Sequence, residues 1–201
     1  MLLVKSKYKI AKRLGAGIFE KTQSQKFALS ETRSKKQRSR AVSDYGRQLL
    51  EKQKVRYTYG LSERQLSNYA HKAFEEKDPS SALNTALELR ADSVVYRSSL
   101  ASTRRAARQI VSHGHITVNG KRITTPSYAL SPGDVVSVRE GSRRSPLFAG
   151  LAEKNPESMP SIPKWLEFDL STLRAEVKSI PSYDSSIGNL DYATVFEFYS
   201  R

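Results

Sequence analysis

The chain has 201 residues, 34 Lys and Arg against 20 Asp and Glu, a formal charge of +14 and 38% hydrophobic residues. Enough apolar content is present to build a core, which argues against a wholly disordered tail protein. No apolar run approaches the ~20 residues that cross a bilayer, and Leu2-Leu3-Val4 is too short for a signal-peptide core, which disfavours secretion. The absence of cysteine removes disulfides, thiolate zinc sites and cysteine nucleophiles together and suits the cytosol. The expected partner is anionic, because the charge is sorted along the chain: +12 over residues 1–60, −1 over 61–79, +6 over 80–150 and −3 over 151–201. Solubility alone gives no reason for such sorting, whereas two surfaces laid along a polyphosphate do.

Residues 1–42 are basic and rich in Ser, Gln and Thr. They read as an extended arm with at most a short helix around Lys9–Leu14, too poor in apolar surface to order itself without its partner. A helix capped by Ser43 or Asp44 is expected to reach about Tyr59, with Gly60 past its end. Ser62-Glu63-Arg64-Gln65 is a capping box, with Leu61 and Leu66 as its hydrophobic staple. That helix is expected to reach Lys77, before Asp78-Pro79. A third helix starts at Ser80 or Ser81, and a fourth spans Asp92 to Arg97. Ser102 then caps a helix ending at His113, with Gly114 closing it. Arg104 and Arg108, four apart, share a face of it, and with Arg105 they are expected to project outward. Asn119-Gly120 joins Ile116-Thr117-Val118 to Lys121-Arg122-Ile123 in a hairpin, since both turn residues tolerate the positive φ of a type I′ turn. Pro132-Gly133-Asp134 precedes a further strand over Val135–Val138. Residues 142–163 read as a Ser- and Pro-rich linker, and order returns at Trp165.

The stretch from 92 to 138 carries the chemistry. Its Arg-rich capped helix offers guanidiniums and free terminal amides to phosphate oxygens. The corner Ser112-His113-Gly114-His115 permits close backbone approach, and Asn119 and Lys121 add polar contacts at the hairpin tip. Such a wedge suits the shape of a folded RNA.

Asp92-Ser93-Val94-Val95-Tyr96-Arg97, Ala101 to Gln109 and Val111 to Lys121 closely resemble the S-four type RNA-binding domain. Ser43-Asp44-Tyr45-Gly46-Arg47-Gln48-Leu49, Glu51-Lys52-Gln53-Lys54, Tyr59-Gly60, Pro126-Ser127-Tyr128, Pro132-Gly133-Asp134, Pro163-Lys164-Trp165-Leu166 and the terminus Phe196 to Arg201 extend the resemblance to the S-four family of bacterial small-subunit ribosomal proteins. It covers about residues 43–201, and Lys9–Gly15 more weakly. The resemblance implies an α+β fold: a helical domain (43–90, completed by 151–201), an inserted RNA-binding domain of helices and a short, mainly antiparallel sheet (91–150), and the basic arm (1–42).

It also implies a cytoplasmic, non-enzymatic constituent of the small ribosomal subunit. The implied role is a primary binder of small-subunit ribosomal RNA that helps nucleate body assembly and influences accuracy. Neighbours would be ribosomal proteins three and five, and messenger RNA where it enters its channel. Candidate RNA contacts are Arg13, Lys35, Lys36, Arg38, Arg40, Arg47, Lys52, Lys54, Arg56, Arg64, Arg97, Arg104, Arg105, Arg108, Gln109, Ser112, His113, His115, Asn119 and Lys121. No cofactor or metal is expected.

Three departures stand out. Many members bind zinc through N-terminal cysteines, so this arm must be organised by RNA or by packing. Ser98-Ser99-Leu100 stands where a Leu-Gly-Phe type segment is usual, which puts Ser99 at a position that favours glycine. Ala91 replaces a larger apolar residue. Two other classes compete. An RNA-modifying enzyme such as a pseudouridine synthase can carry an S-four type domain, but only about 50 residues follow the linker. A DNA-binding regulator would use residues 102–113 as a recognition helix, but that helix runs into a hairpin corner. The histidines are His71, His113 and His115; the last two share a turn with no third metal ligand in view.

Overall fold

The computed structural model describes residues 4, 6–34, 43–149, 151, 161–183 and 190–200. Two compact units divide the chain: Met1–Leu83 with Tyr183–Arg201, and Asn84–Ser182. Residues 151 and 161–182, expected to help complete the helical domain, lie instead in the second unit.

In the first unit the expectation of an extended arm with at most a short helix is corrected over residues 6–34. Helix α1 (Lys7–Leu14), two 3₁₀ turns (Ala16–Ile18 and Glu20–Thr22) and helix α2 (Gln25–Ser34) close around buried Ala11, Phe19 and Phe27. Val4, Ile10, Ile18 and Tyr57 pack against this cluster, and the Phe19 and Tyr57 rings meet edge-on at 6.3 Å. Three widely spaced apolar residues in a polar stretch are a weak sequence signal; their convergence supplies the burial that composition does not reveal.

Helix α3 (Asp44–Thr58) begins at Ser43, whose hydroxyl accepts from the Gly46 amide at 3.2 Å. Gly60 follows its end with φ +63°. Helix α4 (Glu63–Phe74) starts on the expected capping box: the Gln65 amide donates to Ser62 Oγ, and the Ser62 amide to Gln65 Oε1. It stops at Phe74, short of Lys77. Helix α5 (Pro79–Glu88) begins at Pro79, a helix-start residue because its missing N–H needs no partner there. The Asp78 carboxylate accepts from the Ser81 amide, so Asp78 and Pro79 open this helix as well as ending the last. Helix α10 (Tyr192–Tyr199) packs on α3 and α4, burying Tyr192, Val195 and Phe196.

The second unit holds α6 (Ala91–Arg97), α7 (Arg104–Ser112) and a five-stranded antiparallel sheet of order β2-β1-β3-β5-β4. The strands are β1 (Ile116–Val118), β2 (Lys121–Ile123), β3 (Val135–Val138), β4 (Leu166–Asp169) and β5 (Arg174–Val177). Thr103, not Ser102, caps α7 by accepting from the Ala106 amide at 3.1 Å. The hairpin register pairs Val118 with Lys121 across Asn119 and Gly120, whose φ values are +49° and +79°. Val94, Val95, Ala107 and Val111 from the helices meet Ile116, Val136, Val138, Ala175 and Val177 from the sheet in one core. The linker reading is corrected over its first part: Glu140–Arg143 and Pro146–Ala149 form short helices α8 and α9, and Phe148 is fully buried. Ala91 is also fully buried, its amide donating to the Tyr128 carbonyl at 2.9 Å.

Candidate nucleic-acid interface

Two carboxylates hold four arginines of the second unit. Glu88 and Asp92, both buried, stand four residues apart, and Arg104 and Arg108 repeat that spacing on α7. Arg104 reaches Glu88 Oε1 at 3.3 Å, donates to Ser93 Oγ at 3.2 Å and lies 4.7 Å above the Tyr96 ring. Arg108 donates to Asp92 Oδ2 through Nε and Nη2, at 2.9 and 2.8 Å. Arg97 grips Glu88 with two bonds, at 2.8 and 2.7 Å, and Arg90 grips Asp92 with two at 2.9 Å. Arg104 and Arg108 therefore do not project outward. Their side chains are 14% and 18% exposed and turn toward α6. The cause is electrostatic: an uncompensated carboxylate in a core is far costlier than an arginine withdrawn from water to meet it. Among the described residues, four guanidiniums thus converge on two carboxylates.

The outward side of α7 is made of Arg105, Gln109, Ser112 and His113, each exposed and separated by helical steps. At the corner the Gly114 amide donates to the Val111 carbonyl at 2.8 Å and the His115 amide to the Ile110 carbonyl at 3.2 Å. Gly114 has φ +73°, and a Cβ there would collide with the Arg122 guanidinium laid across it. Arg122 also donates to the His113 carbonyl at 3.2 Å. The result is a fixed, exposed cation beside the Arg105–His113 row. Sequence reasoning did not single out Arg122; a glycine at the corner followed by an arginine on the paired strand was the available signal for this placement. Lys121 is exposed next to it.

Two expected contacts have structural partners. Asn119 accepts from the Val135 amide at 2.9 Å and donates to Asp134 at 2.8 Å, tying the hairpin to the Pro132-Gly133-Asp134 turn. His115 is partly buried, its Nδ1 at 3.0 Å from Ser142 Oγ and its ring edge-on to Phe148.

In the first unit, Arg13, Arg47 and Arg64 are exposed, with Arg47 3.8 Å from Asp44. Lys52 is not offered to solvent: its side chain is 7% exposed, with Nζ 2.7 Å from Glu63 Oε1 and 3.9 Å above the Phe198 ring. Tyr199 donates to the same Glu63 oxygen at 3.1 Å, and burial, with that carboxylate alongside, pushes its phenol well above the usual range. Lys54 pairs with Glu51, while Arg56 lies 3.8 Å from Glu63 and donates to Gln53 at 3.2 Å. Lys35, Lys36, Arg38 and Arg40 lie outside the described residues.

A helix–Gly corner–hairpin wedge with an exposed cationic row defines the class of the second unit: residues 89–136 match the family model described as the S4 domain. Residues 3–89 match the model described as the ribosomal protein S4/S9 N-terminal domain. Small ribosomal subunit protein uS4 of Roseiflexus castenholzii is 42% identical over 198 residues, covering 96% of each chain. Its counterpart in Limosilactobacillus fermentum is 41% identical over 162 residues, 80% of this chain and 79% of its own. That of Listeria monocytogenes is 44% identical over 161 residues, 80% and 78% respectively. The chain belongs to the uS4 family of small ribosomal subunit proteins. Membership makes it a structural, non-enzymatic protein and sets aside the RNA-modifying enzyme and the DNA-binding regulator.

Proposed function

We propose that the chain is a constituent of the small ribosomal subunit in the cytoplasm and a primary binder of its ribosomal RNA. It helps nucleate assembly of the subunit body and influences the accuracy of decoding. Its neighbours there are ribosomal proteins three and five, and messenger RNA where it enters its channel. The observation that carries the RNA reading is the exposed row Arg105, Gln109, Ser112 and His113, continued by Arg122 mounted over Gly114. Its groups are held by a helix and a strand, so their spacing is set before the RNA arrives and little ordering entropy is lost on binding. Phosphates and 2′-hydroxyls of a folded RNA present a matching fixed array.

Binding of the full chain to small-subunit ribosomal RNA and to duplex DNA, measured across a salt series, tests this. The RNA is expected to bind more tightly. Replacing Arg105 and Arg122 by Ala together should lower the log–log salt slope by about 1.4–1.8, roughly 0.7–0.9 for each lost phosphate contact. A preference for duplex DNA would overturn the reading. Reconstitution of the subunit body without this chain, followed by misreading assays with the double variant, tests the assembly and accuracy roles.

A further inference from the structure

We propose that Tyr8 is a stacking platform for an unpaired base of the bound RNA, giving the N-terminal module a base contact beside its phosphate contacts. The inference rests on the RNA-binding reading above and adds a site outside the α7–β2 row.

Among the described residues Tyr8 is the most exposed aromatic side chain, at 57%. Its surroundings are one-signed: α1 reads Lys7-Tyr8-Lys9-Ile10-Ala11-Lys12-Arg13-Leu14, four cations and no acid in eight residues. Lys9, Lys12 and Arg13 are exposed, and Lys12 stands one helical turn from Tyr8 on its own face. The ring is not loose. It leans on buried Phe27, with centroids 6.1 Å apart and planes tilted by 36°, so one side is held by the protein while the rest of the ring stays in water.

An aromatic surface backed by Phe27, on a helix that carries only cations, is what an unpaired base needs. The cations track the backbone, and the ring takes the π-face of the base, which every base possesses. The other exposed aromatics are placed differently. Tyr45 leans on Phe198 beside Asp44, Phe74 packs edge-on to Phe196, and Tyr128 follows a turn with its carbonyl engaged by the Ala91 amide.

The test uses the full chain and small-subunit ribosomal RNA. Tyr8→Leu keeps an apolar group over Phe27 but removes the ring; Tyr8→Phe keeps the ring. Tyr8→Leu should weaken binding roughly 5- to 150-fold, the range for one lost base–aromatic stack. The salt slope should not change, because stacking releases no counterions. Tyr8→Phe should stay within about twofold of the parent, again on the magnitude of a retained stack. Short-wave ultraviolet crosslinking should yield a nucleotide adduct at Tyr8. Parent-like binding by Tyr8→Leu overturns the proposal while leaving the RNA reading intact. A weakened Tyr8→Leu with a lowered slope also overturns it, since the cations of α1 would then have been lost instead. Failure of the unsubstituted chain to bind the RNA at all overturns both.

Discussion

Ser99 has φ +61°, a left-handed conformation that costs an L-residue with a side chain roughly 1–2 kcal/mol. Its amide is held by the Tyr96 carbonyl at 3.0 Å, so the turn that leaves α6 keeps this conformation. Glycine removes the clash and loses some of the gain to chain entropy, so Ser99→Gly should raise stability by about 0.5–1 kcal/mol, read from urea unfolding. Asp92 makes the opposite case. Arg90 is almost wholly buried and Arg108 largely so, and both donate to this carboxylate. Asp92→Ala removes the buried charge that they share, at a cost of about 3–5 kcal/mol in the same measurement. The left-handed turn at Ser99 was expected from the resemblance alone, in which glycine is usual at this place; the serine itself does not announce it. The sequence could not place Arg104 and Arg108, because a helical pattern shows which residues share a face but not which carboxylate receives them. The repeated four-residue spacing of Glu88/Asp92 and Arg104/Arg108 was the readable trace of that pairing.

At the scale of elements, α4 is set by its first turn. Ser62→Ala removes one half of the reciprocal cap and should cost about 1 kcal/mol, measured by thermal or urea unfolding. The β4–β5 turn is fixed by polar contacts of another kind. Ser171 Oγ and Thr172 Oγ1 donate to the Asp169 carboxylate, both at 2.6 Å, and the Ser171 amide at 2.9 Å. These bonds, led by the Ser171 hydroxyl, lower the Asp169 pKa from 3.8 to about 2. Because the folded value lies below the unfolded one, the contribution is complete above pH 3.8 and is lost as pH falls toward about 2. A carboxyl NMR titration should show Asp169 titrating near 2, and Ser171→Ala with Thr172→Ala should return it toward the ordinary range. This hairpin was not legible beforehand. Its loop lacks Gly, Pro or Asn, and the residue at positive φ is Leu173, which is buried in the core. The Asn119-Gly120 hairpin was legible for the converse reason: those two residue types name the turn that they form.

For the molecule as a whole, the order of the N-terminal module is the largest difference between composition and structure. High charge and scarce apolar residues imply a chain that waits for its partner, yet Ala11, Phe19 and Phe27 converge and bury. Amides within Lys7–Leu14 should therefore be protected from hydrogen exchange in the free protein. Phe27→Ala, a loss of about 3–5 kcal/mol of packing, should erase that protection without RNA present. The alternation of charged segments was visible in the sequence. The inward turn of Lys52 was not, because its ring partners Phe198 and Tyr199 come from the far end of the sequence and Glu63 from the next helix.

Closure by phenyl and phenol rings has a chemical corollary. A module of this kind held by thiolate-bound metal can be dismantled by peroxide or by a strong chelator, since both attack the sulfur–metal bond. In this chain the same region is closed by carbon–carbon packing, and no sulfhydryl exists to be oxidised. The N-terminal module should keep its shape through oxidative stress and metal starvation alike.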